Sequence, residues 1–197
     1  GADAISVTIG TLAAQTTSQA IVIDAGTGAD TLTMVKVNSA GAEAHAVITI
    51  DAGDSTTTAY DKITGFDVSD GTAQSDVLDF TGTAVAGTVA TQTDFGTILS
   101  SSVTAGVVTF DDAAAFATAI VVNSTNLADV VGYLAANTAT NDTVAFAFDS
   151  NSSGTADATM VYHNGATDSL VQLTGITGVD AVDVAGAGLS ANDLFIA

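Results

Sequence analysis

Cysteine is absent from the 197 residues, so no disulfide holds the fold and no thiolate chemistry is available. Proline and tryptophan are absent as well. The body is built instead from Ala, Thr, Val, Gly, Ser and Asp, a bias that favours close-packed strands joined by tight turns. Basic residues are almost missing: Lys36 and Lys62 are the only two, against 22 acids, for a formal net charge of −20. A surface so charged repels nucleic-acid phosphates and anionic lipid headgroups, which sets both aside as partners. Long apolar runs are missing too. The uncharged stretches Phe95 to Phe110 and Ala113 to Ala128 are broken by Ser, Thr, Gly or Asn. Neither supplies the roughly 20 predominantly apolar residues of a membrane span. No signal peptide is visible, and Gly1 stands where an initiator Met would; a part of a longer protein is the expectation.

Catalytic signatures are missing in the same way. His45 and His163 lack the H-E-x-x-H spacing of a zinc protease, and His163, next to a turn, is expected at the surface. There is no G-x-S-x-G elbow, no phosphate loop with its lysine, and no arginine to clamp an anionic substrate. Paired carboxylates can hydrolyse glycosides, but Asp111-Asp112 precedes an expected helix, where charge complementarity explains it. A non-catalytic chain is the expectation.

What is present in quantity is aspartate. Every acid but Glu43 is Asp. A solvated helical surface would use Glu, the better helix former. Asp points to turns, where a short carboxylate folds back on its own backbone or holds a cation. Solubility alone is the competing explanation.

The length suits one large domain or two small ones. The pattern predicts a mainly β fold, of β-roll or β-sandwich type, with two short helices in the middle: a β-rich part over 1–110, a helical segment over 111–137 and a β-hairpin part over 138–197. Ile5, Val7 and Ile9 alternate with Ser6 and Thr8, the period of a half-buried strand. Ile21-Val22-Ile23-Asp24-Ala25-Gly26 is echoed 27 residues on by Ile48-Thr49-Ile50-Asp51-Ala52-Gly53, as in a wound β-structure. Ala113 to Ile120 reads as a helix with acid at its positive end. A second helix over Asn126 to Ala136, capped by Ser124 or Thr125, would bury Leu127, Val130, Val131 and Leu134. Val144, Phe146 and Phe148 alternate with Ala145 and Ala147, large groups towards one layer and small ones towards the other. Thr159 to His163 and Leu170 to Thr174 read as a hairpin across Asn164-Gly165, a dipeptide suited to a two-residue turn.

Four segments carry the chemistry. Ala25-Gly26-Thr27-Gly28-Ala29-Asp30-Thr31-Leu32-Thr33 has glycines that let carbonyl oxygens approach a cation and an Asp that supplies charge. It resembles the glycine- and aspartate-rich nonapeptide of RTX proteins, with Ala25 in place of the first glycine and one recognisable copy. A glycine turn without metal is the alternative. Asp149, Asn151 and Ser153, followed by Gly154 and Asp157, place oxygens at alternate positions as at the start of an EF-hand loop, without a Glu at the twelfth position. A metal-free Asx-turn competes. Tyr60-Asp61-Lys62-Ile63-Thr64-Gly65-Phe66-Asp67, then Asp70-Gly71 and Ser75-Asp76-Val77-Leu78-Asp79-Phe80, resembles the segment after the repeats in serralysin-like proteins. There Ile63, Phe66, Leu78 and Phe80 would cap the core; spacing does not say which carboxylates ligate. Finally, Asp193-Leu194-Phe195-Ile196-Ala197 is similar to the uncleaved export signal of type I secretion substrates; a final strand tucked into the sheet is the alternative.

Together these resemblances imply a calcium-binding, non-catalytic domain of a secreted bacterial surface protein of the S-layer or filament type. It would self-associate, engage the type I secretion machinery through its C-terminus, and bind no nucleic acid. The tail of a large adhesin or of an exported enzyme is the alternative. The metal candidates are Asp24, Gly26, Gly28, Asp30, Asp51, Asp149, Asn151, Ser153 and Asp157, with Ca2+ as the ion.

Overall fold

The structure, a computed structural model, describes residues 1–10, 20–37, 45–68, 75–81, 84–89, 92–184 and 191–197. Asp70, Gly71 and Glu43 lie outside the described residues.

Alternation of apolar and polar side chains produces six strands that pass in turn between two sheets. β1 (Ala4–Gly10), β3 (Thr31–Val37) and β5 (Asp61–Thr64) lie side by side in one sheet, all parallel. β2 (Ala20–Asp24), β4 (His45–Ile50) and β6 (Val77–Phe80) do the same in the other. Each strand therefore pairs with the one two places on, and the chain winds as a parallel two-sheet roll. The inward side chains of both sheets meet in one core that includes Ile23, Leu32, Met34, Ile48, Ile50, Ile63 and Leu78. The 27-residue echo does fall on neighbouring strands, but the register is two residues shorter: Ala20 lies opposite His45 and Ile23 opposite Ile48. A slip of two keeps every side chain on its own face, so the apolar pattern cannot distinguish the two registers.

The second half of the chain extends both sheets. After β7 (Val85–Ala86) come the hairpin β8 (Ser100–Thr104) and β9 (Val107–Asp111), then β10 (Asp142–Phe148), β11 (Ala158–His163) and β12 (Ser169–Thr174). β10, β11 and β12 form an antiparallel meander whose last strand runs parallel to β5. The first sheet then reads β1-β3-β5-β12-β11-β10-β9-β8, with β7 pairing β10. β13 (Ala181–Val184) and β14 (Asp193–Ile196) join the second sheet, in the order β13-β14-β6-β4-β2.

The meander is buried on both faces. Ala145, Val161, Val171 and Leu173 face the core of the roll. Val144, Phe146, Phe148, Met160, Tyr162 and Leu170 face a second core, closed by the helix α1 (Leu127–Asn137). The large-and-small alternation along β10 is thus what lets one strand serve two layers. Leu127, Val130 and Leu134 are the helix's buried stripe, with Val131 at its margin.

α1 is the one helix among the described residues. Ala113 to Ile120 is not helical. The carboxylate of Asp111 accepts the N–H groups of Ala113, Ala117 and Thr118 at 3.1, 2.6 and 2.9 Å and gathers the segment into an irregular loop. Eight residues with no buried stripe are too few to hold a helix against that competition. α1 begins after Asn126, which makes no side-chain cap bond, so neither Ser124 nor Thr125 caps it. The β11–β12 connection is Asn164 to Asp168, not a two-residue turn. Asn164 is drawn away from hairpin geometry by its Nδ2 bonds to the Thr138 carbonyl and hydroxyl. No helix among the described residues is long and apolar enough to cross a membrane.

Candidate functional site

The rungs of the roll begin with aspartates, and the register lines these up. Ala4 pairs with Thr31, and Thr31 with Lys62, so Asp3, Asp30 and Asp61 stand in a row at one end of the first sheet. The side chains of Asp30 and Asp61 each reach back one rung. The Asp3 N–H donates to Asp30 Oδ1 at 2.6 Å, and the Asp30 N–H donates to Asp61 Oδ1 at 2.8 Å. The Asp61 N–H donates in turn to Ser55 Oγ at 2.7 Å, whose own proton goes to the Leu170 carbonyl. The second sheet repeats the device: Asp76, just before β6, accepts the Ala46 N–H on Oδ1 at 2.7 Å.

The difference lies in the other oxygen. Asp76 is fully buried, and its Oδ2 takes the Asp67 N–H at 2.8 Å and the Lys36 ammonium at 2.9 Å. Lys36 also reaches Asp67 at 3.1 Å. Asp30 and Asp61 are 1% and 3% exposed, yet Oδ2 of each has no hydrogen-bond partner. A buried carboxylate oxygen without a partner costs roughly 1–3 kcal/mol or more, and here two occur on neighbouring rungs. Burial, with the charges of Asp30 and Asp54 behind it, raises the Asp61 carboxyl to about 6 against the lowering effect of the Asp30 N–H. Asp54 is itself buried. It accepts the Asp51 N–H on Oδ2 at 3.0 Å, while its carbonyl accepts the Gly28 N–H at 3.1 Å. The two turns that follow β2 and β4 are thereby stacked on each other.

The glycines of the first turn have the backbone expected of them. Gly26 has φ +71° and Gly28 φ +145°, and a side chain on Gly28 would strike the Gly1 carbonyl. Asp24 and Asp51 are exposed and lie outside the buried pair. Asp24 Oδ1 accepts the Gly26 N–H at 2.8 Å, and Asp51 Oδ1 accepts the Thr81 hydroxyl at 2.7 Å.

Asp149 to Asp157 forms the β10–β11 connection, and its oxygens are turned onto the loop itself. Asp149 is buried and takes the N–H groups of Ser153 and Gly154 at 3.0 and 2.6 Å. Asn151 Oδ1 accepts the Ser153 N–H at 2.9 Å. Asp157 accepts the Ser150 N–H and hydroxyl and the Asn151 amide, and Ser150 holds its carboxyl below the ordinary range. These are the bonds of a nested Asx-turn.

Among the described residues no three Asp, Glu, His or Cys side chains converge as a metal cage. A calcium shell also draws on carbonyl, amide and hydroxyl oxygens, and the Asp30–Asp61 pair sits among turn backbone. Asp61 and Asp54 are the members that motif reading did not assign. A signal for Asp61 was available: Asp3-Ala4-Ile5-Ser6, Asp30-Thr31-Leu32-Thr33 and Asp61-Lys62-Ile63-Thr64 share one D-x-I/L-S/T pattern.

One further expectation changes. His163 is not at the surface but 2% exposed, stacked on Phe80 with ring centroids 4.8 Å apart. Its Nδ1 meets Thr143 Oγ1 at 2.8 Å, Nε2 has no partner, and burial lowers its pKa. Asp193 to Ile196, the segment similar to an export signal, is β14, buried in the second sheet between β13 and β6. No protein-family model, characterised protein or solved structure matches the chain.

Proposed function

We propose that this chain is a calcium-ordered, non-catalytic β-roll module that serves as the secretion and assembly domain of a bacterial surface-layer or surface-filament protein. The observation that carries the calcium part is the pair of buried, unpartnered oxygens, Asp30 Oδ2 and Asp61 Oδ2. Where the same device recurs at Asp76, a lysine supplies the positive charge. At Asp30 and Asp61 no lysine does, and a hard divalent cation suits an all-oxygen site. Asp30 and Asp61 would hold the ion, with Asp54 adding charge from the next turn. The bound ion supplies electrostatic neutralisation and no reaction step.

Coupling to export follows from the charge. In a cytosol poor in free calcium, the acids repel and keep the chain unfolded. Outside, sites of the extracellular kind, with dissociation constants on the order of 10⁻⁴ to 10⁻³ M, fill at millimolar calcium. Each site at tenfold excess over its constant then stabilises the fold by about 1.4 kcal/mol. The test is calorimetric titration of the EDTA-stripped chain with calcium, beside Asp30→Asn/Asp61→Asn and a magnesium control. Saturable calcium binding lost in the double variant is the expected result. Heat and melting curves indifferent to calcium would end the proposal.

A further inference from the structure

Only two lysines are present, and one of them is turned inward. Along β3, Leu32, Met34 and Lys36 fall on the same face, and the first two belong to the core of the roll. Lys36 therefore enters from the core side. Its side chain is 17% exposed, and its ammonium meets Asp76 Oδ2 at 2.9 Å and Asp67 Oδ2 at 3.1 Å. The Asp76 side chain has no exposed surface, whereas that of Asp67 opens to water. Separate elements bring the three together. Asp76 leads into β6 of the second sheet, and Asp67 follows β5 by way of Gly65 (φ +82°), where any side chain would strike the Met34 carbonyl on β3.

Taking two opposite charges out of water can cost more than their mutual attraction returns. Condensation to an amide removes both charges at once, and the groups that such a reaction needs are in place. Lys36 Nζ is the nucleophile. Asp76 Oδ1 accepts the Ala46 N–H at 2.7 Å, a donor placed to stabilise negative charge on that oxygen as nitrogen adds to Cγ. Asp76 Oδ2, which lies against the ammonium and takes the Asp67 N–H at 2.8 Å, is the oxygen positioned to leave. The Asp67 carboxylate touches the same ammonium and reaches solvent, which suits a carrier of protons. Burial raises the Asp76 carboxyl above its ordinary value, against the lowering effects of the Ala46 N–H and of Lys36, and so favours the protonated acid that condensation consumes.

We propose that Lys36 and Asp76 condense to an intramolecular isopeptide bond, with Asp67 as the acid–base group. Asp67 takes a proton from the ammonium, Nζ attacks Cγ of Asp76, and the Nζ–Cγ bond forms as the Cγ–Oδ2 bond breaks. The two protons given up by nitrogen leave with Oδ2 as water. Asp67 relays them and ends as it began, so no oxidant or second reactant enters. One positive and one negative charge disappear together, and the net charge stays at −20. The bond ties β3 of the first sheet to the start of β6 in the second, a covalent clasp across a roll that has no cysteine to supply one. It stands apart from the calcium reading, because none of the three residues belongs to the Asp30–Asp61 pair.

Intact-mass spectrometry of the purified, folded chain, denatured just before measurement, reads the bond directly: a mass lower by one water is expected. Cleavage with a lysine-specific endoprotease locates it. With both lysines free, the digest releases 1–36, 37–62 and 63–197. With the bond in place Lys36 resists cleavage, and the two pieces cut after Lys62 stay joined. Lys36→Met, and Asp67→Ala, which keeps both reacting groups, should hold the full mass. A folded native chain at full mass that releases three separate fragments overturns the inference. So does a missing water with Lys36 still cleaved, the mark of a succinimide at Asp70-Gly71. A bond that forms at the native rate in Asp67→Ala overturns the role given to Asp67.

Discussion

Replacing Asp61 by Asn probes the buried pair most directly, because it removes one charge and keeps the shape. The Asn carbonyl can still accept the Asp30 N–H that now lies 2.8 Å from Oδ1. Its amide would stand where Oδ2 has no partner; Oδ2 of Asp30, on the neighbouring rung, is equally unpartnered. The folded-state pKa of Asp61 is raised from 3.8 to about 6. The folded chain therefore binds this proton more tightly than the unfolded one. Stability from this group is fully present below the unfolded value and is lost as pH rises through about 6. Above pH 7, in EDTA, the ionised side chain costs about 3 kcal/mol. Asp61→Asn should return about 1–3 kcal/mol of that, a rise of roughly 3–10 °C in Tm for a domain of this size. At pH 4 the gain should vanish, and at pH 8 the stabilisation by calcium should be lost in the variant. Scanning calorimetry in EDTA and in calcium, at both pH values, reads all of this. A variant less stable than the parent at pH 8 in EDTA, or one that keeps the full calcium shift, would refute the electrostatic reasoning.

Two other perturbations follow from the buried polar groups. Lys36→Met leaves Asp76 charged and fully buried with only backbone partners, and breaking such a pair costs about 3–5 kcal/mol; a lower urea midpoint, partly restored in Lys36→Met/Asp76→Asn, is the expected outcome. His163 has its pKa lowered by burial, so its contribution is present above the unfolded value near 6.5 and is lost as pH falls below it. The imidazole should stay neutral in NMR titrations below pH 6.5, and His163→Phe should flatten the acid limb of the stability curve.

How much of this could be read in advance depends on whether the information is local. Strand periodicity is local, and it marked the alternation in β1 and the two-faced β10, whose Phe146 and Ala145 do enter different cores. The stripe of α1 is local in the same sense. Register is not. The echo of Ile21 to Gly26 suggested 27 residues per turn, while the strands pair Ala20 with His45, because turns of different length absorb the difference. Ala113 to Ile120 has helix propensity, but propensity is silent about the Asp111 carboxylate that captures its amides. The aspartate row was written in the sequence three times, at Asp3, Asp30 and Asp61, yet at unequal spacing. Only the pairing of β1, β3 and β5 brings those carboxylates into line. The one lysine on β3, the strand that Asp30 precedes, turns instead to Asp76 and Asp67.

The bond from Ser55 to the Leu170 carbonyl joins residues 115 positions apart, and this has a kinetic consequence. The first six strands close loops of modest length and can form in order of synthesis. β12 reaches β5, and β14 reaches β6, only across more than half the chain, and contacts so distant in sequence form slowly. Ser55 is the acceptor for the Asp61 N–H, so the aspartate row gains its last support when β12 arrives. An early roll would hold its carboxylates loosely and in water, and the late docking of β12 is the step that makes them buried.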